Sequence, residues 1–504
     1  MRRAPTREVA PEGQRSLRVA IIGAGFGGLA AAIRCAQAGI RDVVVLEAGD
    51  DVGGTWRDNT YPGAASDIPS RLYSLSFAPR TDWSRTYPSQ AELQAYLRDV
   101  ADRSGLRHVL RTRTQVLAAR YDEPTAQWHL TTDRGDTEVA DAVVCALGAL
   151  RVPADAKLPD LERFAGDQMH TARWDHEVAI ASRRVGVIGT GASGIQVVPA
   201  LAGHADHVAV FQRSPAWIIP RRDRPTTRWG RAAARHVPGW REAARAGVYL
   251  RKESKLPLFR AGGRVRPHVE RFALGHLRAQ VADPGLRRRL TPTDALGCKR
   301  VLISDDFYPA LQRDDVALVD DPIERVVPEG IVLRDGRVIE LDVLVHATGF
   351  DVHDPLTPMT VEGRSGRSLN TCWRERPTAY LGITHPGFPN LFTLLGPNTG
   401  LGHNSVVVMI EAQVAHVVAA LQTLRQPGVR SVEVTREALD AFVAEIDRRH
   451  ARMVWASGCR SWYLDDQGRN VALWPGSSMG YNLRTRRFDP AAYHLGAGTT
   501  RHPG

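Results

Sequence analysis

Two glycine triplets carry the first chemistry legible in this chain: Gly23, Gly25 and Gly28 near the start, and Gly189, Gly191 and Gly194 further on. Glycines at that spacing let a strand turn sharply into a helix and let bare backbone amides approach a pyrophosphate, with the positive end of the helix behind them. The residue that closes each unit says which nucleotide it suits. Glu47 ends the next apolar run, nineteen residues beyond Gly28, where a carboxylate can meet the hydroxyls of an adenosine ribose. The second unit ends in Gln212-Arg213 instead, and a guanidinium there suits a 2′-phosphate, favouring NADP over NAD. Thr190, Ser193 and Gln196 belong to the second loop and the start of its helix. Two dinucleotide sites on one chain let electrons pass between bound cofactors, the usual pair being FAD in the first and NADPH in the second.

These loops need strands and helices to hold them. Val19-Ala20-Ile21-Ile22 and Val185-Gly186-Val187-Ile188 are apolar runs entering the loops, and Ala-rich or Ile/Val-rich helical stretches leave them. Val208 to Phe211, Val316 to Val319, Val343 to His346 and Ala142 to Cys145 read as further buried strands, with a hairpin around Asp335-Gly336. Between Arg221 and Asp294 strand alternation stops, and Pro220, Pro225, Pro238, Pro257 and Pro267 divide an arginine-rich helical stretch. A long apolar helix follows Ser405. The predicted fold is α/β, two interleaved Rossmann-like dinucleotide-binding domains with a helical insertion. Residues 1–149 and 381–504 form the FAD-binding domain, 150–220 and 295–380 the NADP-binding domain, and 221–294 the insertion.

Composition agrees with an enzyme of this size. At 504 residues the chain has room for roughly three units, and its 43% hydrophobic and 24% charged content excludes a disordered class. The net charge of +11 comes largely from arginines between Arg221 and Arg289, read as a solvated helical face with no nucleic-acid partner. Residues through Ser16 read as a loose polar tail without a signal peptide, and the apolar segments are interrupted well short of a membrane span. Five scattered cysteines outline neither a disulfide framework nor a metal site, which fits a reducing cytoplasm. No close cysteine pair follows the first loop, so disulfide-reductase chemistry is excluded. Nothing in the sequence fixes an oligomeric state.

Phe164-x-Gly166-x-x-x-His170-x-x-x-Trp174-Asp175 resembles the fingerprint of the flavin-dependent Baeyer-Villiger monooxygenases. Gly54-Thr55-Trp56 with Tyr61-Pro62-Gly63 and Asp67 is similar to that family's second motif, and Ala347-Thr348-Gly349 to its third. The resemblance extends from about Val19 to Pro490. It implies an FAD enzyme that takes NADPH, O2 and a small-molecule ketone to an ester or lactone, through a flavin peroxide and a tetrahedral adduct. Asp67 matches the family's active-site aspartate and Arg300, in Gly297-Cys298-Lys299-Arg300, its arginine beside the flavin. A guanidinium suits that place because it stabilises an oxyanion without surrendering its proton, and Asp67 would orient it. Lys299 matches a lysine that joins Arg213 on the 2′-phosphate.

Gly54, Thr55, Trp56 and Tyr61 would then lie on the cofactor side, with Trp56 and Tyr61 as flavin walls or core. Asn398 and Thr399, in the loop from Gly396 to Gly402, would stand near the flavin's pyrimidine edge with the Ser405 helix behind them. His170 and Trp174 read as a linker between domains, and His403 and Asn404 as residues that reach cofactor or substrate. Two other activities share these folds: oxygenation of an amine or sulfide, and an uncoupled NADPH oxidase or flavin-binding sensor. The Trp174-Asp175 ending argues against the former, and the presence of Asp67 and Arg300 against the latter.

Overall fold

The computed structural model describes residues 15–154, 156–352, 355–459 and 461–497. Its two principal sheets are each parallel and five-stranded. In the first, spatial order runs Leu391–Thr393, Ala142–Cys145, Arg18–Ile22, Asp42–Leu46, Leu110–Arg111. In the second it runs Val316–Val319, His207–Phe211, Arg184–Ile188, Val343–His346, Asp167–His170. The strands of the second sheet lie in the chain between two strands of the first, so the units are interleaved as expected.

Burial on both faces explains why these strands read as unbroken apolar runs. One face of the first sheet packs on helices Phe26–Gln37 and Val406–Leu424, and the other on a four-stranded sheet whose Trp128 is fully buried. The second sheet repeats this plan, with helix Gly194–Leu201 on one face and a three-stranded antiparallel sheet on the other. The Asp335-Gly336 hairpin joins Gly330–Leu333 to Val338–Glu340 in that smaller sheet. Prolines divide the insertion where expected: Pro238 separates helices Arg228–His236 and Trp240–Glu253, and Pro267 opens Arg266–Gln280.

Four readings change. Residues 167–170, which hold the His170 read as a linker contact between domains, form the edge strand of the second sheet, paired in register with Val343–His346. A Cβ at Gly166 would overlap the Asp342 carbonyl and the Phe164 ring, so glycine is required as the chain enters that edge. The Val406–Leu424 helix, 19 residues long, is apolar enough to cross a membrane by length and composition. It is a core helix here, with Val407, Met409, Ile410, Val414 and Val417 all buried. Arg15 is tied down by an ion pair to Asp141 at 2.5 Å, and its amide donates to Arg425 O at 3.2 Å; the tail from Met1 to residue 14 lies outside the described residues. Finally, Cys298 and Cys459 form a disulfide across 161 residues of chain. That separation hid the pair in the sequence, and cysteine usage therefore no longer argues for a reducing compartment.

Candidate active site

The two glycine loops are built alike. Gly23 and Gly189 have φ of +100° and +107°, and a Cβ on either would come within 2.6 or 2.7 Å of a carbonyl, Ala146 O or Ala347 O, at the end of the neighbouring strand. Gly28 and Gly194 lie against the carbonyls of Gly23 and Gly189, with no room for a side chain. The middle glycines differ. A Cβ on Gly25 would find its nearest atoms at 3.9 Å, and one on Gly191 would meet nothing within 4 Å. Only these two positions present open backbone, each at a helix start with no acidic residue in its first turn. A dianionic pyrophosphate fits such a cradle.

Glu47 is buried, and its carboxylate accepts from Ala24 N at 2.7 Å, Gly49 N at 2.8 Å and Arg57 Nη1 at 2.7 Å. Three of about four acceptor positions on a carboxylate are thus taken. Glu47 holds the first loop in shape and leaves room for about one ribose hydroxyl. Gly54 crosses directly over Gly25, with φ +53°, and opens the short helix Thr55–Asp58. Trp56 meets the Tyr73 ring edge-on at 5.6 Å.

Asp67 and Arg300, 233 residues apart, meet as expected: Asp67 Oδ2 accepts from Arg300 Nε at 2.7 Å and Nη2 at 2.6 Å. The pair lies deep in protein yet opens on a cleft, with 31% of the arginine and 27% of the aspartate side chain exposed. Burial acts against the charge on Asp67, but Arg300 and then Lys252 outweigh it and hold its carboxyl below the usual range. Asp67 in turn raises the Arg300 pKa further. Both groups are therefore charged at neutral pH.

Lys252, absent from the sequence reading, comes from the insertion and places Nζ 3.4 Å from Asp67 O. Burial, aided by Lys255, brings its pKa down to about 8 against the pull of Asp67. Tyr73 and Tyr463 also face the pair, and burial pushes each phenol up to about 12, keeping it protonated. The Arg300 loop is clamped from the C-terminal segment, where Trp455 Nε1 donates to Gly297 O at 3.0 Å beside the Cys298–Cys459 bridge. Tyr463 falls in the aromatic stretch Ser461-Trp462-Tyr463. Nothing local marks Lys252, because only the packing of its helix decides which of the neighbouring cations turns inward.

Arg213 is exposed at the end of the His207–Phe211 strand, with no carboxylate within 4 Å among the described residues. Lys299 lies at the same edge, donating to Ser214 Oγ at 3.0 Å and pairing with Asp294 at 2.6 Å. Thr190 Oγ1 reaches Ser214 O at 3.5 Å, tying the second loop to that edge. Arg213→Ala is expected to lower the preference for NADPH over NADH by about ten- to a hundredfold, the loss of one charge-assisted contact. Steady-state kinetics with both cofactors checks it; an unchanged ratio removes Arg213 from the phosphate site.

Several side chains are engaged differently from expectation. Tyr61 packs in the core of the second unit, and its hydroxyl donates to Gln196 Oε1 at 2.8 Å, while Gln196 Nε2 donates to Ala65 O at 3.0 Å. Tyr61 and Gln196 thus tie the two units together, with Tyr61 in the core and not against the first loop, and Gly63 is needed because a Cβ there would overlap Gln196 O. Ser193 stands at the N-cap position of the same helix without a side-chain capping bond. Asn398, at φ +57°, donates to Asn470 O at 2.7 Å, and Thr399 Oγ1 donates to Gly396 O at 2.6 Å. Asn398 thus fastens the loop to residues 470–473 and Thr399 closes a turn within it; the cap of the following helix is Ser405. His170 Nδ1 accepts from Ala172 N at 3.0 Å and Trp174 packs on the second core, both structural roles.

His403 and Asn404 reach neither cofactor loop. They meet Glu253 of the insertion, whose Oε2 accepts from Asn404 Nδ2 at 2.7 Å and Ser478 Oγ at 2.6 Å, with His403 Nε2 at 3.5 Å. Ser478 N donates to Oε1 at 2.7 Å. This latch fastens the insertion to the C-terminal part of the chain. Burial alone would raise the Glu253 pKa, but the contacts from His403, Ser478 and Asn404 outweigh it and bring it to about 2 from an ordinary 4.5. The stabilisation is therefore complete above the ordinary value and is lost as pH falls from 4.5 toward about 2. Glu253→Gln is expected to cost about 1–3 kcal/mol at neutral pH. Denaturant melts should show that difference shrinking across the same acid range.

Comparison with known proteins agrees with this geometry. Residues 16–230 match the family model described as flavin-binding monooxygenase-like. A "Baeyer-Villiger monooxygenase" of Pseudomonas aeruginosa is 40% identical, the alignment covering 98% of this chain and 94% of that protein. A protein of the same name from Streptomyces coelicolor is 42% identical over 95% of this chain and 92% of its own length. Among solved structures, the OTEMO complex with FAD and NADP superposes with a TM-score of 0.87 at 29% identity, covering 95% of this chain and 99% of that one. Identity at this level over nearly the whole length, on the same interleaved fold, means that the chain belongs to the flavin-dependent Baeyer-Villiger monooxygenases.

Proposed function

We propose that this chain converts ketones to esters or lactones using NADPH and O2, with FAD at the Gly23–Gly28 loop and NADP at the Gly189–Gly194 loop. The observation that carries this reading is a guanidinium from the second unit held by a carboxylate from the first, in a cleft open to solvent. The relatives named above, and the FAD and NADP of the superposed complex, support it. In this reading residues 1–149 with 381–504 hold FAD, 150–220 with 295–380 hold NADP, and 221–294 cover the cleft. A cytoplasmic setting goes with it, since NADPH is regenerated there.

Bound FAD, once reduced, supplies the activated oxygen that is inserted beside the ketone carbonyl. Arg300 holds the negative charge that develops on oxygen, and because its proton does not leave, it does not quench the nucleophile. Asp67 fixes the plane of that guanidinium through Nε and Nη2, leaving Nη1 for substrate or cofactor. Tyr73 and Tyr463, protonated at neutral pH, add neutral donors around the same point. Trp455 and the disulfide keep the Arg300 loop from drifting, which matters because misplacement by about 1 Å costs about a hundredfold in rate.

The test offers a ketone and a sulfide side by side to the FAD-loaded enzyme under NADPH. Ester is the expected main product. Sulfoxide alone would mean heteroatom oxygenation, and hydrogen peroxide without organic product an oxidase; either result overturns the proposal.

A further inference from the structure

The insertion holds more than the chain's whole excess of positive charge. Between Arg221 and Arg289 stand nineteen Lys and Arg against five Asp and Glu, giving that stretch +14 while the entire chain carries +11. Two of its helices, Arg228–His236 and Trp240–Glu253, are joined by Val237-Pro238-Gly239 into a hairpin, and neither contains a buried residue.

The polarity of this hairpin is the reverse of an ordinary surface helix. Its inward contacts are polar: Arg245 Nη1 donates to Arg71 O at 3.0 Å and Ser74 O at 2.8 Å, Lys252 reaches Asp67, and Glu253 forms the latch. Its exposed side carries large apolar side chains among its charges. Trp229 is 84% exposed, Leu250 59%, Val237 51% and Trp240 43%. Trp240, Ala243, Gly247 and Leu250 recur at intervals of three, four and three residues, a single exposed line along the second helix. Arginines flank that line. Arg228, Arg235 and Arg251 are exposed and have no carboxylate within 4 Å among the described residues.

An apolar line flanked by unpaired cations matches a surface that is apolar within and anionic at its rim. We propose that the Arg228–Glu253 hairpin docks on an anionic lipid bilayer, with Trp229, Val237, Trp240 and Leu250 entering the interface and the arginines on lipid phosphates. A nucleic acid would satisfy the arginines but leave Val237 and Leu250 without a partner. A second copy of the chain, meeting this face through a twofold axis, would oppose the same cations to one another. Docking would also bring the groove between the hairpin and residues 71–83, which Trp240 helps to line, beside the lipid.

The FAD-loaded full-length enzyme is sedimented with vesicles of phosphatidylcholine alone or mixed with phosphatidylglycerol, at low and high salt. Binding is expected only to the mixed vesicles and to weaken with salt. The variant Arg228→Gln/Arg235→Gln/Arg251→Gln should bind about a hundredfold more weakly, each arginine near the surface contributing about fivefold. Trp229→Ser/Leu250→Ser should also lose binding while both variants keep the parent's activity on a water-soluble ketone and its melting temperature. No binding to anionic vesicles, or binding that neither variant weakens, overturns the proposal. So does self-association that the same substitutions abolish, or tighter retention on duplex DNA than on the vesicles.

Discussion

Arg300→Ala is expected to leave the rate at which NADPH bleaches the flavin close to the parent's while cutting ester formation by about a hundred- to a thousandfold. The split follows from where the guanidinium stands. It pairs with Asp67 from the first unit through Nε and Nη2, whereas the side-chain bonds at the edge of the second loop run through Lys299, Ser214 and Thr190. On the proposed mechanism, hydride delivery does not need Arg300. Oxygen insertion does, because negative charge develops there in a cleft walled by Tyr73, Tyr463 and Lys252, where a fixed cation acts far more strongly than it would in water.

A lysine at position 300 should recover little, since one ammonium cannot bond Asp67 and present a second donor in a fixed plane. With the arginine gone, reduced enzyme still consumes oxygen and releases hydrogen peroxide. Stopped-flow reduction and product yield, measured on one preparation, read both halves of the prediction. Parent-level ester formation would remove Arg300 from the chemistry, and loss of flavin reduction would move it to NADPH binding.

What was legible in the sequence is what short-range pattern determines. The strand-loop-helix units around Gly23 and Gly189 could be read because strand burial, the tight turn and the helix are all encoded within a few tens of residues. The edge strand at residues 167–170 could not. Its residues Asp, Gln, Met and His have no strand alternation, and their conformation is imposed by pairing with Val343–His346, far away in the chain. The meeting of Asp67 with Arg300 rested on family motifs and not on spacing. Lys252, the Glu253 latch and the Cys298–Cys459 bridge are tertiary facts, set by how the insertion and the C-terminal segment fold back over the cleft. Tyr61, Asn398 and Thr399 show a second limit of residue type: the polar groups that suit a cofactor also fasten core and loops, and Tyr61 takes the core role that its ring equally allowed.

The glycines allow protein strain to be separated from ligand contact by a single methyl group. Gly28→Ala should impair folding itself, because its Cβ would overlap the Gly23 carbonyl and backbone on both sides is fixed by the sheet and the helix. Gly25→Ala meets no such obstacle. Its φ of −80° and ψ of −163° are open to any residue, and the nearest atoms to an added Cβ are 3.9 Å away. The apoprotein should therefore keep its stability to within about 0.5 kcal/mol. The methyl would instead stand where the pyrophosphate must approach, costing about 1–3 kcal/mol of binding, or about ten- to a hundredfold in FAD affinity. Titration of apoprotein with FAD, beside a thermal melt without it, distinguishes the cases. Gly191→Ala is the internal control, since it should leave FAD in place and raise KM for NADPH. If Gly25→Ala binds FAD as the parent does, the pyrophosphate does not lie over this loop, and the assignment of FAD to the first unit fails with it.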